Sequence, residues 1–275
     1  MRKKILFLDL DGTLLNDAKQ ITPGNRAALQ KALDAGHKVV IATGRAMASA
    51  VKQNQKLGLT GPGCYIIACN GGMILDCHAE QVIYEKLIPG DLALGIMEMG
   101  RQQGVHIQTY DDEGVVLEAW AVDKELEQYC NGSKLTFRIV EDLARELKRD
   151  VPKVLAIDLH DRGPMEDLSG AVTQQFGQWV DCYFSCGEYL EVVPKDVNKG
   201  NAIVWMCRKL GIDMADGIAC GDAENDLAMI RTAGVGVAMA NGTAGAKAAA
   251  DYVTEHDNNH DGIAEVVEKF LLNQN

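Results

Sequence analysis

Asp9 and Asp11 stand one residue apart at the end of an apolar run, in the segment Asp9-Leu10-Asp11-Gly12-Thr13. Three further segments place polar groups just beyond apolar runs or at a helix start: Thr43-Gly44-Arg45, Asn198-Lys199-Gly200, and Gly221-Asp222 followed by Asn225-Asp226. If the segments converge, phosphoryl transfer is the chemistry they suit. A transferred phosphoryl group spreads charge over three equatorial oxygens and needs fixed donors and cations around it. The Thr43 hydroxyl, the Gly44 amide, the amides near Asp11 and Gly12, and Lys199 can supply them. Asp9 can attack phosphorus as a carboxylate nucleophile. Asp11 can protonate the leaving oxygen and then deprotonate water. Carboxylates of Asp9 and Asp222 held close together repel unless a proton or a cation lies between them. A hard divalent ion bound by their oxygens resolves the repulsion, and an oxygen-rich site that retains waters favours Mg2+. Lys199 at a helix start opposes the helix dipole, which favours an anion at that point.

The elements that would position these groups read as a doubly wound sheet. Ile5 to Leu8 is a continuous apolar run that stops at Asp9, the pattern of a buried parallel strand. A helix follows, with Thr22 as its cap, Pro23 at its first position, Ala28, Leu29, Ala32 and Leu33 at helical spacing, and Gly36 to end it. Val39 to Ile41 forms the next strand and runs into Thr43. A strand–helix–strand unit is a right-handed crossover, so both strand ends open on one edge of the sheet, where ligands bind. Tyr65 to Cys69 is another strand, and Asn70-Gly71-Gly72 allows a tight reversal into Met73 to Leu75, with substrate contact by Asn70 and Gly71 as the alternative reading of that turn.

From about Tyr84 the pattern changes to a mixed order: helix from Pro89 to Gln103, strands at His106 to Tyr110 and Val115 to Ala119, a helix near Ala144, a strand at Val154 to Leu159, a helix from Pro164 to Phe176, and strands near Val180 and Leu190. That order suits an insert. The doubly wound pattern resumes with a helix from Asn198 to Leu210, strands at Gly217 to Cys220, Val235 to Met239 and Tyr252 to Thr254, and a closing helix from Gly262 to Leu272. The expected fold is α/β, a Rossmann-like doubly wound parallel sheet of residues 1–83 plus 190–275, with an inserted α+β domain over 84–189.

At 275 residues and 47% hydrophobic content, the chain can bury one large core or a core plus a smaller second domain. Its net charge of -12 repels nucleic acid and anionic membrane surfaces. Met1 to Leu8 resembles a signal peptide only superficially, because Asp9 and Asp11 end the run too early. No other segment approaches the roughly 20 apolar residues a membrane span requires. Eight cysteines, without a Cys-x-x-Cys pair or zinc-ligand spacing, read as structural thiols in a reducing cytoplasm.

Taken together and in order, Asp9-Leu10-Asp11-Gly12-Thr13-Leu14, Thr43-Gly44-Arg45, Asn198-Lys199-Gly200 and Gly221-Asp222-x-x-Asn225-Asp226 resemble the haloacid dehalogenase superfamily, specifically its Cof-type phosphatases with a type IIB cap. The resemblance extends through Gly234 to Asn241. It implies a HAD-like core with Asp9 as nucleophile and metal ligand, Asp11 as general acid/base and backbone-carbonyl ligand, and Asp222 as the remaining ligand of Mg2+. It further implies phosphate held by Gly12, Thr43, Gly44, Lys199 and Asn225, and Asp226 orienting Lys199 or a metal-bound water. The insert would be the cap that selects a small phosphorylated metabolite, sugar phosphates foremost. Phosphomutase or phosphotransferase action and a non-catalytic phosphometabolite sensor are the competing readings. The sequence leaves monomer and homodimer open.

In the insert, His106, Tyr110, Trp120, Lys153, His160, Tyr183 and Glu188 are candidates for substrate contact, with no one of them singled out. The acidic runs Asp111-Asp112-Glu113 and Glu141-Asp142 read as solvated turns and helix starts. His256 to Asp261 reads as a polar loop with a structural use.

Overall fold

Ile5–Leu8 forms strand β1, with all four side chains buried. Helix α1, Pro23–Asp34, follows, then β2, Lys38–Ala42, helix α2, Met47–Leu57, and β3, Cys64–Ala68. A tight reversal leads into β4, Met73–Asp76, and the chain goes on to β5, Gln81–Glu85. The α1 cap differs from expectation in detail. The Thr22 hydroxyl does not bond its own helix but donates to Asp261 Oδ1 at 2.5 Å. Gly36 follows the helix at φ +84, a left-handed conformation that favours glycine.

The insert contains α3, Gly90–Gln103; β6, His106–Tyr110; β7, Val115–Glu118; α4, Lys124–Ser133; β8, Phe137–Val140; the one-turn α5, Leu143–Glu146; β9, Val154–Ile157; α6, Gly163–Phe176; β10, Val180–Cys186; and β11, Tyr189–Pro194. The chain then forms α7, Lys199–Leu210; β12, Gly217–Gly221; α8, Leu227–Thr232; β13, Val235–Ala238; α9, Ala244–Ala249; β14, Tyr252–Val253; and α10, Gly262–Val267, which widens into a π-type turn through Leu272. This computed structural model describes residues 2–111, 114–133, 135–147 and 149–272.

The chain divides into two units, the first holding residues up to Gly44, Val51–Ile83 and everything from Asn198, the second Arg45–Ala50 and Tyr84–Val197. The first unit's sheet has the order β14-β13-β12-β1-β2-β3-β4-β5, parallel from β14 to β3 and antiparallel at β3–β4. Successive strands run outward from β1 on one side and from β12 on the other. The β1–β12 boundary is therefore the topological switch point, where α/β sheets bind ligands.

In the second unit the order is β10-β11-β9-β6-β7-β8, antiparallel except at β7–β8. Alternation along the strands separates two faces. Ile107, Val154 and Ala156 pack with Ile96 of α3 and Leu168 of α6. Tyr110, Leu155 and Ile157 point the other way and pack with Leu126 and Tyr129 of α4. The sequence expectation returned the chain to the first unit at residue 190. Because β11 is an inner strand, paired on both edges with β10 and β9, the return comes instead at Asn198.

Candidate active site

Register brings the site residues to one level. Leu8 pairs with Cys220 of β12 on one side and Ile41 of β2 on the other. One residue on, Asp9 donates its backbone N–H to Cys220 O at 3.0 Å, and Gly221-Asp222 and Ala42-Thr43 leave their strands beside it. Two backbone bonds, Leu14 N to Asp9 O and Leu15 N to Leu10 O, fold residues 9–15 into a tight loop. Gly12 has φ +86, and a Cβ there would lie 2.5 Å from Asp222 Oδ2. Only glycine lets this loop approach the Asp222 carboxylate so closely.

Lys199 is the first residue of α7, whose cap Asn198 accepts from Asn201 N at 2.8 Å. Its ammonium is fully buried and donates 2.6 Å bonds to both Asp9 Oδ1 and Asp226 Oδ1. Asp226 also accepts the N–H groups of Asp222 and Ala223 at Oδ2, at 2.9 and 3.1 Å. Both Asp226 oxygens are thus engaged, one holding Lys199 and the other the turn that carries Asp222. The Asp222 carboxylate is steadied in turn by Thr13, which donates to Oδ1 at 2.7 Å.

Oxygens of Asp9, Asp222 and Asp226 all lie within 4.8 Å of one another. Burial, opposed by Lys199 and reinforced by Asp226 and Asp222, pushes the Asp9 carboxyl up to about 8. Burial, opposed by the Thr13 hydroxyl and reinforced by Asp226, pushes Asp222 up to about 6. On Lys199, burial acts downward, but Asp226 and Asp9 outweigh it and hold the ammonium charged. One ammonium does not neutralise three carboxylates. An all-oxygen cluster with surplus negative charge fits a hard divalent cation. Because both Asp226 oxygens are engaged, Asp9 and Asp222 are the side chains best placed to hold one.

The other predicted residues flank this cluster. Thr43 is buried, donates its N–H to Ile67 O at 2.8 Å and accepts from Asn70 N at 3.0 Å, so β3 fixes it; Gly44 follows, half-buried. Asn225 lies in the single 3-10 turn Glu224–Asp226, half-buried beside Asp226. Asp11 is more open, and its Oδ1 accepts from Lys19 Nζ at 2.8 Å.

Thr13 stands in the first motif, but no expected role attaches to it from sequence. A brace behind the loop likewise carries no motif signal. Asn241 donates to Gly12 O at 2.7 Å and accepts from Asn258 N, and Asn258 donates to Leu15 O at 3.0 Å. The stretch from His256 to Asp261 thus holds residues 12–15 in place. Among the insert candidates, His106, Tyr110 and Lys153 are buried, Tyr183 is half-buried, and Trp120, His160 and Glu188 are exposed. Asp142 caps α5, and Asp111 pairs with Arg138 at 2.8 Å; Asp112 and Glu113 lie outside the described residues.

Residues 6–267 match the sequence family described as haloacid dehalogenase-like hydrolase. The chain belongs to that family. Among its relatives is the pyridoxal phosphate phosphatase of Escherichia coli, 31% identical over 99% of this chain and 100% of the relative. Another is the HMP-PP phosphatase of Serratia proteamaculans, 32% identical over 86% of this chain and 84% of the relative. A solved haloacid dehalogenase-like hydrolase from Bacteroides thetaiotaomicron superimposes with a TM-score of 0.89 at 30% identity, covering 98% of this chain and 99% of that one. This haloacid dehalogenase-like chain is accordingly an enzyme of the phosphatase kind, with the core and inserted domain of that fold.

Proposed function

We propose that the protein hydrolyses phosphate monoesters of small metabolites, sugar phosphates foremost, through a phosphoaspartate on Asp9. The observation that carries the reading is Lys199, fully buried and bonded to both Asp9 and Asp226 inside a three-carboxylate cluster at the switch point. Lys199 holds one Asp9 oxygen, so the carboxylate is oriented before substrate arrives. Asp9 attacks phosphorus while Asp11 gives its proton to the leaving oxygen, and the ester bond breaks. Asp11 then takes a proton from water, which attacks the same phosphorus and frees inorganic phosphate and the Asp9 carboxylate. Lys199, the Thr43 hydroxyl, the Gly12 and Gly44 amides and Asn225 hold the phosphoryl oxygens. Mg2+, held by the side chains of Asp9 and Asp222 and the main-chain carbonyl of Asp11, would supply charge neutralisation at those oxygens. Asp226 positions Lys199 and the Asp222 turn.

The second unit is assigned the choice of leaving group. Relatives named as phosphatases of pyridoxal phosphate and of HMP-PP support a small phosphorylated metabolite. None of Cys64, Cys69, Cys77, Cys130, Cys182, Cys207 and Cys220 is in a disulfide, which suits a reducing cytoplasm. Among the described residues, no helix is long and apolar enough to cross a membrane. A panel of phosphorylated metabolites assayed with and without Mg2+ tests the proposal. Mg2+-dependent release of inorganic phosphate is expected, highest on a sugar phosphate. An isomeric phosphate without free phosphate would make the protein a mutase, and binding without turnover would make it a sensor.

A further inference from the structure

Asn70 lies in the reversal between β3 and β4, in the left-handed conformation at φ 55, ψ 24. Asparagine tolerates that region better than most residues but is not driven to it. Its side chain is 2% exposed, and neither Oδ1 nor Nδ2 has a hydrogen-bond partner. A buried amide with both groups unpaired is costly, and folded chains rarely keep one without a use.

Its surroundings indicate the use. The Asn70 backbone N–H is bonded to Thr43 O. The amide lies against Gly44, where a Cβ would sit 2.9 Å from Oδ1 and 3.1 Å from Nδ2. The missing side chain of Gly44 is therefore what leaves room for the amide. On the other side, a Cβ on Gly71 would lie 2.5 Å from Asn198 O, so the same turn abuts the residue that precedes Lys199. Asn70 thus stands between two segments assigned above to phosphate binding, with a free donor and a free acceptor.

We infer that Asn70 is a further phosphate-binding residue, its Nδ2 donating to an oxygen of the phosphoryl group held at Thr43 and Gly44. A phosphate dianion only accepts, which fixes the amide with its nitrogen toward the ligand. The inference rests on the site reading given above and adds a donor that the four motifs do not contain.

Inorganic phosphate, the product, is the probe, measured as a competitive inhibitor of Mg2+-dependent p-nitrophenyl phosphate hydrolysis. Asn70→Gly removes the amide and suits the left-handed backbone. Asn70→Asp keeps the volume but replaces the donor by a charged acceptor. The phosphate inhibition constant should rise about tenfold or more in Asn70→Gly, as for a lost hydrogen bond to a charged group. It should rise further in Asn70→Asp, and the melting temperature of Asn70→Gly should be unchanged or higher. Thr43→Val is the control. If wild type resists phosphate and Thr43→Val changes nothing, the site reading itself fails. If wild type and Thr43→Val behave as expected while both Asn70 variants stay within about twofold of wild type, the amide serves only the turn or a water, and this inference is overturned. Should Asn70→Gly not fold, Asn70→Asp carries the same test.

Discussion

Lys199 in the first unit and Lys153 in the second are both almost fully buried, and both donate to carboxylates at hydrogen-bond distance. Their partners differ. Lys153 donates to Glu191 at 2.9 Å, the other Glu191 oxygen accepts from Ser185 at 3.2 Å, and the Tyr110 ring lies 5.1 Å from the ammonium. Lys199 lies between two carboxylates with a third close by, and burial, reinforced by the neighbouring carboxylates, pushes Asp9 up to about 8 and Asp222 to about 6. One ammonium and one carboxylate cancel in charge. A cluster one ammonium cannot neutralise needs a proton or a further cation, and that separates a structural lysine from a chemical one.

Four changes test this contrast. Asp9→Asn should lower Mg2+-dependent phosphate release on the order of 10^4-fold or more, the scale of losing a nucleophile, and phosphate-release assays that found near-normal turnover would remove Asp9 from the chemistry. Lys153→Met should cost about 3–5 kcal/mol of stability in urea unfolding, because Glu191 is left buried and unpaired. Lys153→Met with Glu191→Leu should recover most of that loss; a double variant as unstable as the single one would show that the pair is not self-contained.

The third change is pH. Carboxyls whose pKa values are raised must lose protons before a cation can bind them, so the Mg2+ concentration for half-maximal activity should fall as pH rises. Between about pH 6 and about pH 8 the proton in question is that of Asp9, giving up to about tenfold per unit, and below about 6 Asp222 adds a second. A Mg2+ requirement flat across that window would mean that neither carboxyl holds the ion. Fourth, Thr13→Val removes the bond that steadies Asp222. Mg2+ titration of its activity should show a requirement raised roughly tenfold, the usual loss when a ligand's supporting bond is removed. An unchanged titration would confine Thr13 to folding the loop.

Much of the first unit was legible because parallel strands buried on both faces write themselves as unbroken apolar runs, as at Ile5–Leu8 and Cys64–Ala68. Motif residues at the ends of such runs then locate the site. The second unit was harder to read. Helix α4, Lys124–Ser133, was missed because few of its residues are buried, Leu126, Tyr129 and Cys130 among them, although that i, i+3, i+4 spacing and the Asp123 cap on Leu126 N were available signals. Strand β8, at the sheet edge, exposes Phe137 and Ile139 and buries Val140, so its apolar residues do not mark one covered face. The return at Asn198 was misplaced because an apolar strand such as β11 reads alike in either sheet. The Thr13–Asp222 bond, the Asn241–Asn258 brace and the Lys153–Glu191 pair link residues 17 to 209 positions apart, which a local pattern cannot join.

In the proposed mechanism the carboxylate cluster places Asp9 to carry the phosphoryl group. Acid quenching during turnover with Mg2+ and a phosphate monoester, followed by peptide mass spectrometry, tests it most directly, with Asp11→Asn used to slow hydrolysis of the intermediate. One phosphoryl group on the peptide containing Asp9, absent in Asp9→Asn, is the expected result. Steady phosphate release with no phosphoryl group on Asp9, or with one on another residue, would contradict it.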